Sequence, residues 1–221
     1  MNKYISLFDT FLLGKLDKVD PYLNFRSLIL RLLYSKEFAL GDEALLTLKT
    51  AKDVLDSLGI VFWIDSGTCL GAIREKNFIR HDNDIDLGIK EKDLHRVKEI
   101  ISGFMAKQFK LSTFHRDAKS GKGVVLRFVR NKIKLDIFVY YEKGDFVWNG
   151  CYTAKGELVC YVFDRVLFEN LKEIDFLGLK VRVPNPVEEY LTQAYGDWQV
   201  VKKNWQYLKD PPCIRLNFLE E

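Results

Sequence analysis

The chain has 221 residues, 48% of them hydrophobic and 14% aromatic, which is enough for one substantial core with at most a small appendage. Its 34 basic and 31 acidic residues leave a formal charge of +3, too balanced for bulk binding of nucleic acid or another polyanion, although compatible with a local phosphate pocket. Cys69, Cys151, Cys160 and Cys213 have neither CxxC spacing nor the density of a disulfide scaffold, so they read as reduced thiols, and no apolar run approaches the roughly 20 residues that span a bilayer.

Taken in order, Tyr4, Ile5, Phe8, Phe11 and Leu12 predict an amphipathic helix over residues 2–16. Its apolar face either packs on its own domain or meets a partner or a membrane surface, since Lys3, Lys15 and Lys18 flank it. Asp9 breaks the segment and no small-residue cleavage site follows, which makes it a poor signal peptide; with the reduced cysteines, the expectation is a cytoplasmic protein that can associate peripherally with the inner face of a membrane. Residues 22–40 read as a second helix. A third begins near Asp42, carries Ala44, Leu48, Ala51, Leu55 and Leu58 on one stripe, and ends at Gly59. The strand Ile60–Ile64 follows, the Gly67-Thr68 step opens a helix, and an apolar run holding Asp84 and Asp86 reads as the next strand. Leu94, Val97, Ile101 and Phe104 predict a helix over Lys92–Lys107.

Three strands come next, Lys110–His115, Val124–Arg130 and Ile133–Tyr141, separated by the turn signals AKSGKG and Asn131-Lys132. In the last, Ile133, Leu135, Ile137 and Val139 form an apolar face, and Lys134, Asp136, Phe138 and Tyr140 form the other. Residues 145–183 alternate short β-like runs with glycine turns, including LGLKVRVP as a hairpin arm ending at Pro184. A helix over Pro186–Tyr195 closes at Gly196, and the tail from Asp197 is aromatic and basic, with Trp198, Trp205 and Tyr207. The expectation is a single domain of mixed α/β (α+β) class, with a mixed, mostly antiparallel sheet flanked by helices. Residues 1–41 form its helical appendage, 42–205 its core and 206–221 its tail.

Side chains alternate along a strand, so Asp84 and Asp86 share one face while Ile85 and Leu87 enter the core. Such a carboxylate pair is costly without a cation. Asp136, set into an otherwise buried strand, supplies a third acid, as metal ligand or as proton acceptor. Magnesium, or manganese in its place, takes hard oxygen ligands and typically keeps one or two carboxylates plus substrate phosphates. Gly67 and Thr68 offer a close backbone approach and a helix N-terminus to phosphate. Arg74, Arg80 and Arg127 are candidate charged donors, with a surface ion pair the plain alternative for Arg80 and Arg127. DNDID is not an EF-hand: counted from Asp82, the required Gly falls at Leu87 and the twelfth residue is Asp93. The other plain reading is a solvated acidic turn, against which the alternation of Ile85, Leu87 and Ile89 speaks. His81, His95 and His115 lack metal spacing and Cys69 has no base beside it, so neither zinc nor thiol chemistry is supported.

The string IDSGTCLGAIREKNFIRHDNDIDLGI resembles the LicD family, which includes bacterial phosphocholine transferases and fukutin-related proteins. Gly67, Thr68, Leu70, Gly71, Ala72 and Arg74 match a GTLLGAxR block; Phe78, Ile79, Asp82, Asp84, Ile85 and Asp86 match a GFIPWDDDIDI block. KLDIFVY around Asp136 and VPNPVEEYLTQAYGDW from Val183 look like the third acid and the C-terminal signature, so the resemblance covers roughly residues 45–205. Arg80 and His81 stand where Pro and Trp are usual, Asn83 replaces an acid and Cys69 a Leu. The resemblance implies a nucleotidyltransferase-like fold of the DNA polymerase beta type. It also implies transfer of a phospho-alcohol, phosphocholine or a phospho-polyol, from a CDP-activated donor to a hydroxyl of a cell-surface glycan such as a lipopolysaccharide or capsule, with release of CMP. The loop of Arg80, His81 and Asp82 would contact the transferred group. The residues alone say less: a metal-dependent phosphoryl-type transfer from a nucleotide donor. Two alternatives stand beside it, a nucleotidyltransferase that leaves the nucleotide on its acceptor and a noncatalytic glycan- or partner-binding module.

Overall fold

The computed structural model describes residues 41–80, 82–116, 121–153, 157–202, 204–215 and 218–219; the helices expected over 2–16 and 22–40, and His81, lie outside them. Helix α1 (Asp42–Ser57) buries the expected stripe completely at Ala44, Leu48, Ala51 and Leu55. It ends in a Schellman-type closure: Gly59, at φ +65°, donates to the Asp56 carbonyl and Ile60 to the Leu55 carbonyl, both at 2.9 Å. The left-handed turn there is one that glycine takes without a Cβ penalty. It feeds the chain into β1 (Phe62–Ile64), shorter than the apolar run suggests, and then into α2 (Ser66–Arg74) and β2 (Asp84–Lys90).

The helix expected over Lys92–Lys107 divides into a 3-10 turn, Glu91–Arg96, and α3 (Val97–Ala106). Arg96 reaches back to the Leu58 carbonyl at the end of α1, and the 3-10 turn meets the core only through the half-buried Leu94, whereas α3 buries Ile100, Ile101 and Phe104. The hairpin β3 (Lys110–Arg116) and β4 (Gly123–Arg130) leads to β5 (Ile133–Lys143).

Strand β5 is the hub. Its first part pairs in parallel with β2 and antiparallel with β4, and its end, Tyr141–Lys143, leaves them to pair with β6 (Phe146–Tyr152). Strands β7 (Leu158–Asp164) and β10 (Ile214–Arg215) extend that wing, to complete an eight-stranded mixed sheet. The residues 145–183 region also holds a 3-10 turn, Arg165–Phe168, and the separate hairpin β8 (Lys172–Phe176) and β9 (Leu179–Val183), the expected LGLKVRVP arm. Helix α4 (Val187–Tyr195) ends at Gly196.

The two faces of the sheet differ in what covers them. Ile133, Leu135, Ile137 and Val139 are buried, and α1 and α3 pack on their side, with Phe104 of α3 stacked on Phe128 of β4 at 4.6 Å. Each such ring contributes about 1.5–3 kcal/mol of burial. On the opposite face the Trp63, Tyr140, Phe168 and Tyr190 rings close one end. There Trp63 lies directly over Gly88, where a Cβ would sit 2.2 Å from the indole, so β2 requires glycine at that point. The other end of this face carries the acids. Among the described residues no helix is long and apolar enough to cross a membrane.

Candidate active site

The site is built where β1 turns into α2 beside β2. Asp65 extends the β1–β2 pairing through its amide, which donates to the Asp86 carbonyl at 2.9 Å, and then caps α2. Its carboxylate is fully buried and accepts from the Ser66 amide at 2.9 Å, from the Tyr140 hydroxyl at 2.8 Å and from the Tyr190 hydroxyl. Burial pushes the Asp65 pKa up, and the bonds from Tyr190, Tyr140 and Ser66 oppose it. Ser66 sits at φ +42°, a conformation that non-glycine residues adopt at a cost of about 1–3 kcal/mol when the surroundings enforce it.

The next two residues grip β2. The Gly67 amide donates to Asp86 Oδ2 at 3.1 Å, and the Thr68 hydroxyl accepts from the Asp86 amide at 2.9 Å. A Cβ on Gly67 would lie 2.4 Å from Asp82 Oδ2 and 3.4 Å from Asp86 Oδ2, so glycine is what lets the α2 backbone pass against two carboxylates. The amide and hydroxyl expected from sequence to meet phosphate are thus engaged with Asp86.

Asp82, Asp84 and Asp86 each offer a carboxylate oxygen, and these oxygens lie within 4.8 Å of one another. Alternation along β2 brings Asp84 and Asp86 to one face. Asp82 joins them through a turn in which its amide donates to the Ile79 carbonyl at 3.0 Å and its own carboxylate accepts from the Asn83 amide at 3.0 Å. Burial and the Asp84 carboxylate push Asp82 up to about 8. Burial raises Asp86 well above the carboxylate range, reinforced by Asp84, Asp82, Asp136 and Asp65. Crowded acids that must hold protons to coexist are what a divalent cation relieves. The all-oxygen set fits a hard ion such as magnesium or manganese, though carboxylates alone do not choose between them.

Parallel pairing places Asp136 opposite Asp86, and antiparallel pairing places Arg127 opposite Asp136. Arg127 donates through Nε to Asp136 Oδ1 at 2.7 Å and through Nη2 to Oδ2, so both oxygens of this acid, 3% exposed as a residue, are occupied. Burial raises the Asp136 pKa against the lowering bond and charge of Arg127. The tight oxygen cluster therefore comprises Asp82, Asp84 and Asp86, with Asp136 on the adjacent strand facing Arg127. His115 of β3 looks onto the same face. Burial and then the Arg127 charge lower its pKa to about 4, which leaves a neutral imidazole.

The remaining expected residues scatter. Arg74 ends α2, donating to the Trp198 carbonyl at 3.1 Å and to Glu75 Oε1 at 2.8 Å, and so ties the tail to the helix. Arg80 is exposed in the loop before Asp82, and His81 lies outside the described residues. Sequence reasoning did not single out Asp65, Tyr140 or Tyr190. An acid ending the apolar run Phe62–Ile64 was a signal for Asp65; nothing local marks Tyr190, on the buried stripe of α4. Tyr195 lies by the acids too: burial, then the Asp86 and Asp82 charges, push its phenol well up, and its ring meets Trp205 at 5.3 Å.

Residues 59–186 match the family described as LicD/FKTN/FKRP, nucleotidyltransferase domain. The chain belongs to that family. Among curated relatives of this LicD-family chain, the ribitol-5-phosphate transferase FKTN of Macaca fascicularis is 36% identical over 173 residues, 77% of this chain and 36% of that protein. The human FKTN is 35% identical over the same length and shares. The ribitol 5-phosphate transferase FKRP of Homo sapiens is 22% identical over 153 residues, 65% of this chain and 29% of its own. The chain spans about a third of the length of these relatives. Among solved structures, the lincosamide antibiotic adenylyltransferase LnuA, lincomycin-bound, gives a TM-score of 0.44 at 14% identity, covering 70% of this chain and 86% of that one. ANT(2")-Ia in complex with adenylyl-2"-tobramycin gives 0.45 at 15%, covering 74% and 82%. The mixed α/β, nucleotidyltransferase-like fold class expected from sequence is the one this LicD-family chain has.

Proposed function

We propose that the protein transfers a phospho-alcohol, a phospho-polyol such as ribitol phosphate or else phosphocholine, from a CDP-activated donor to a hydroxyl of a cell-surface glycan. The observation that carries this reading is the cluster of Asp82, Asp84 and Asp86 clasped by Gly67 and Thr68 beside Asp136. Membership of the LicD family and the 36% identity to a ribitol-5-phosphate transferase support the choice of transferred group. In the reaction, the acceptor hydroxyl oxygen bonds to the phosphorus bearing the alcohol, the bond from that phosphorus to the CMP oxygen breaks, and CMP leaves.

Asp82, Asp84 and Asp86 would hold a magnesium or manganese ion, which would supply charge neutralisation of the pyrophosphate and polarisation of the phosphorus. Gly67 and Thr68 fix Asp86 so that its oxygens keep their place in the cluster. Asp136 takes the proton of the acceptor hydroxyl, and Arg127 orients it. Arg127 and the Arg80-His81 loop hold the donor phosphates and the transferred group, while Arg74 keeps the tail on α2. Incubation with CDP-ribitol or CDP-choline, a glycan acceptor and magnesium should add the phospho-alcohol mass to the acceptor and release CMP. Acceptor growth by a nucleotide instead would make the protein a nucleotidyltransferase. A folded protein that binds no nucleotide with or without magnesium would be a binding module.

A further inference from the structure

We infer that Asp65, Tyr140 and Tyr190 act as a latch that sets the geometry of the acid cluster from behind, with Asp65 its positioning residue; the inference rests on reading Asp82, Asp84 and Asp86 as a cation site. Capping a nine-residue helix needs only one acceptor for one early amide, and a Ser or Asn does that without burying a charge. Asp65 does more. It gathers hydroxyls from two elements distant in sequence, Tyr140 of β5 and Tyr190 of α4. The Ser66 amide is shared between Asp65 Oδ1 at 2.9 Å and the Tyr190 hydroxyl oxygen at 3.0 Å, which fixes Ser66 in its left-handed conformation.

That conformation aims the start of α2 at β2. The Asp65 amide bonds the Asp86 carbonyl, the Gly67 amide bonds the Asp86 carboxylate, and the Thr68 hydroxyl accepts the Asp86 amide. The amide, the carbonyl and one carboxylate oxygen of Asp86 are therefore held by residues 65–68, and that segment is in turn held by the two tyrosines. Outer-shell partners that orient metal ligands commonly matter almost as much as the ligands themselves. The docking of α4 is thereby read out at the acid cluster.

The test uses the full chain and Mn2+ as probe, with Tyr190→Phe, Tyr140→Phe and Asp65→Asn. The Phe variants keep the ring packing of Tyr190 on Phe163 and Phe168 and of Tyr140 on Trp63. Tyr141→Phe is the control, since it removes a buried hydroxyl bond to the Gly123 carbonyl on the other wing. Calorimetric titration should show Mn2+ affinity about tenfold weaker in Tyr190→Phe and at least as weak in Asp65→Asn, with the control unchanged. Amide hydrogen exchange, read by NMR without metal, should show faster exchange at Gly67 in the same variants. A lower melting temperature with unchanged Mn2+ affinity and unchanged Gly67 protection would mean a merely structural network and overturn the latch. If the wild type binds no Mn2+, the cation reading fails, and Gly67 exchange still decides whether the latch holds Asp86. Should Asp65→Asn not fold, Tyr190→Phe decides alone.

Discussion

Replacing Asp86 by Asn removes one charge from a cluster whose oxygens lie within 4.8 Å of one another, yet leaves an amide oxygen to accept the Gly67 bond. Two full charges at that separation repel by about 3.5 kcal/mol at an effective dielectric near 20. Because Asp82 is pushed up to about 8 and Asp86 well above the carboxylate range, protons already relieve much of this below pH 8. At pH 8.5 without divalent ions the net gain from the substitution is therefore about 1–2 kcal/mol, or roughly 2–8 °C in melting temperature for a domain of this size. The wild type should answer the other way to magnesium: at a hundred times Kd the ion adds about 2.7 kcal/mol, roughly 5–11 °C, and Asp86→Asn should gain little of it. Scanning calorimetry in EDTA and in excess magnesium measures both shifts. A variant that melts below the wild type in EDTA, or that rises equally with magnesium, would refute the argument that this cluster is charge-frustrated and cation-relieved.

The same protonation has a pH signature. The folded pKa of Asp82, about 8, lies above its unfolded value near 4, so its stabilising contribution is complete below pH 4 and is lost as pH rises through 8. The metal-free melting temperature should fall from pH 5 to 9 while apparent magnesium affinity rises over the same range, with proton release on titration in buffers of different ionisation enthalpy. Gly67→Ala should weaken magnesium binding while changing urea stability by less than about 2 kcal/mol, because the Asp82 carboxylate 2.4 Å from the new Cβ can swing away, but only out of the cluster. Gly88→Ala meets the rigid Trp63 ring at 2.2 Å and should cost about 3 kcal/mol in urea denaturation with no selective effect on the metal. Arg127→Ala strands the buried Asp136 carboxylate; with the Arg127 side chain 38% exposed to screening solvent, the expected loss is about 2 kcal/mol, and adding Asp136→Asn should restore part of it in a double-mutant cycle.

Local pattern made much of this legible. The period-two alternation of β2 places Asp84 and Asp86 on one face whatever strand lies beside them, and the stripe of α1 with Gly59 marks that helix and its end. The LicD-like blocks announce the family that residues 59–186 match. Helix boundaries failed where a distant partner intervened: Arg96 bonds the Leu58 carbonyl, and the helix expected from residue 92 starts at Val97.

What the sequence by itself determined is which residue types sit together on short segments: paired acids on a strand, a Gly-Thr step at a helix start, an acid in a buried strand. Only the tertiary structure decided how these segments meet. The parallel register of β2 and β5 sets Asp136 against Asp86, the β4 register hands both Asp136 oxygens to Arg127, and the turn before β2 makes Asp82 a member of the cluster. The docking of α4 brings Tyr190 to Asp65. Periodicity is fixed by backbone geometry within a few residues, whereas register between strands far apart in the chain is chosen by which side chains pack, and no window along the sequence contains that choice.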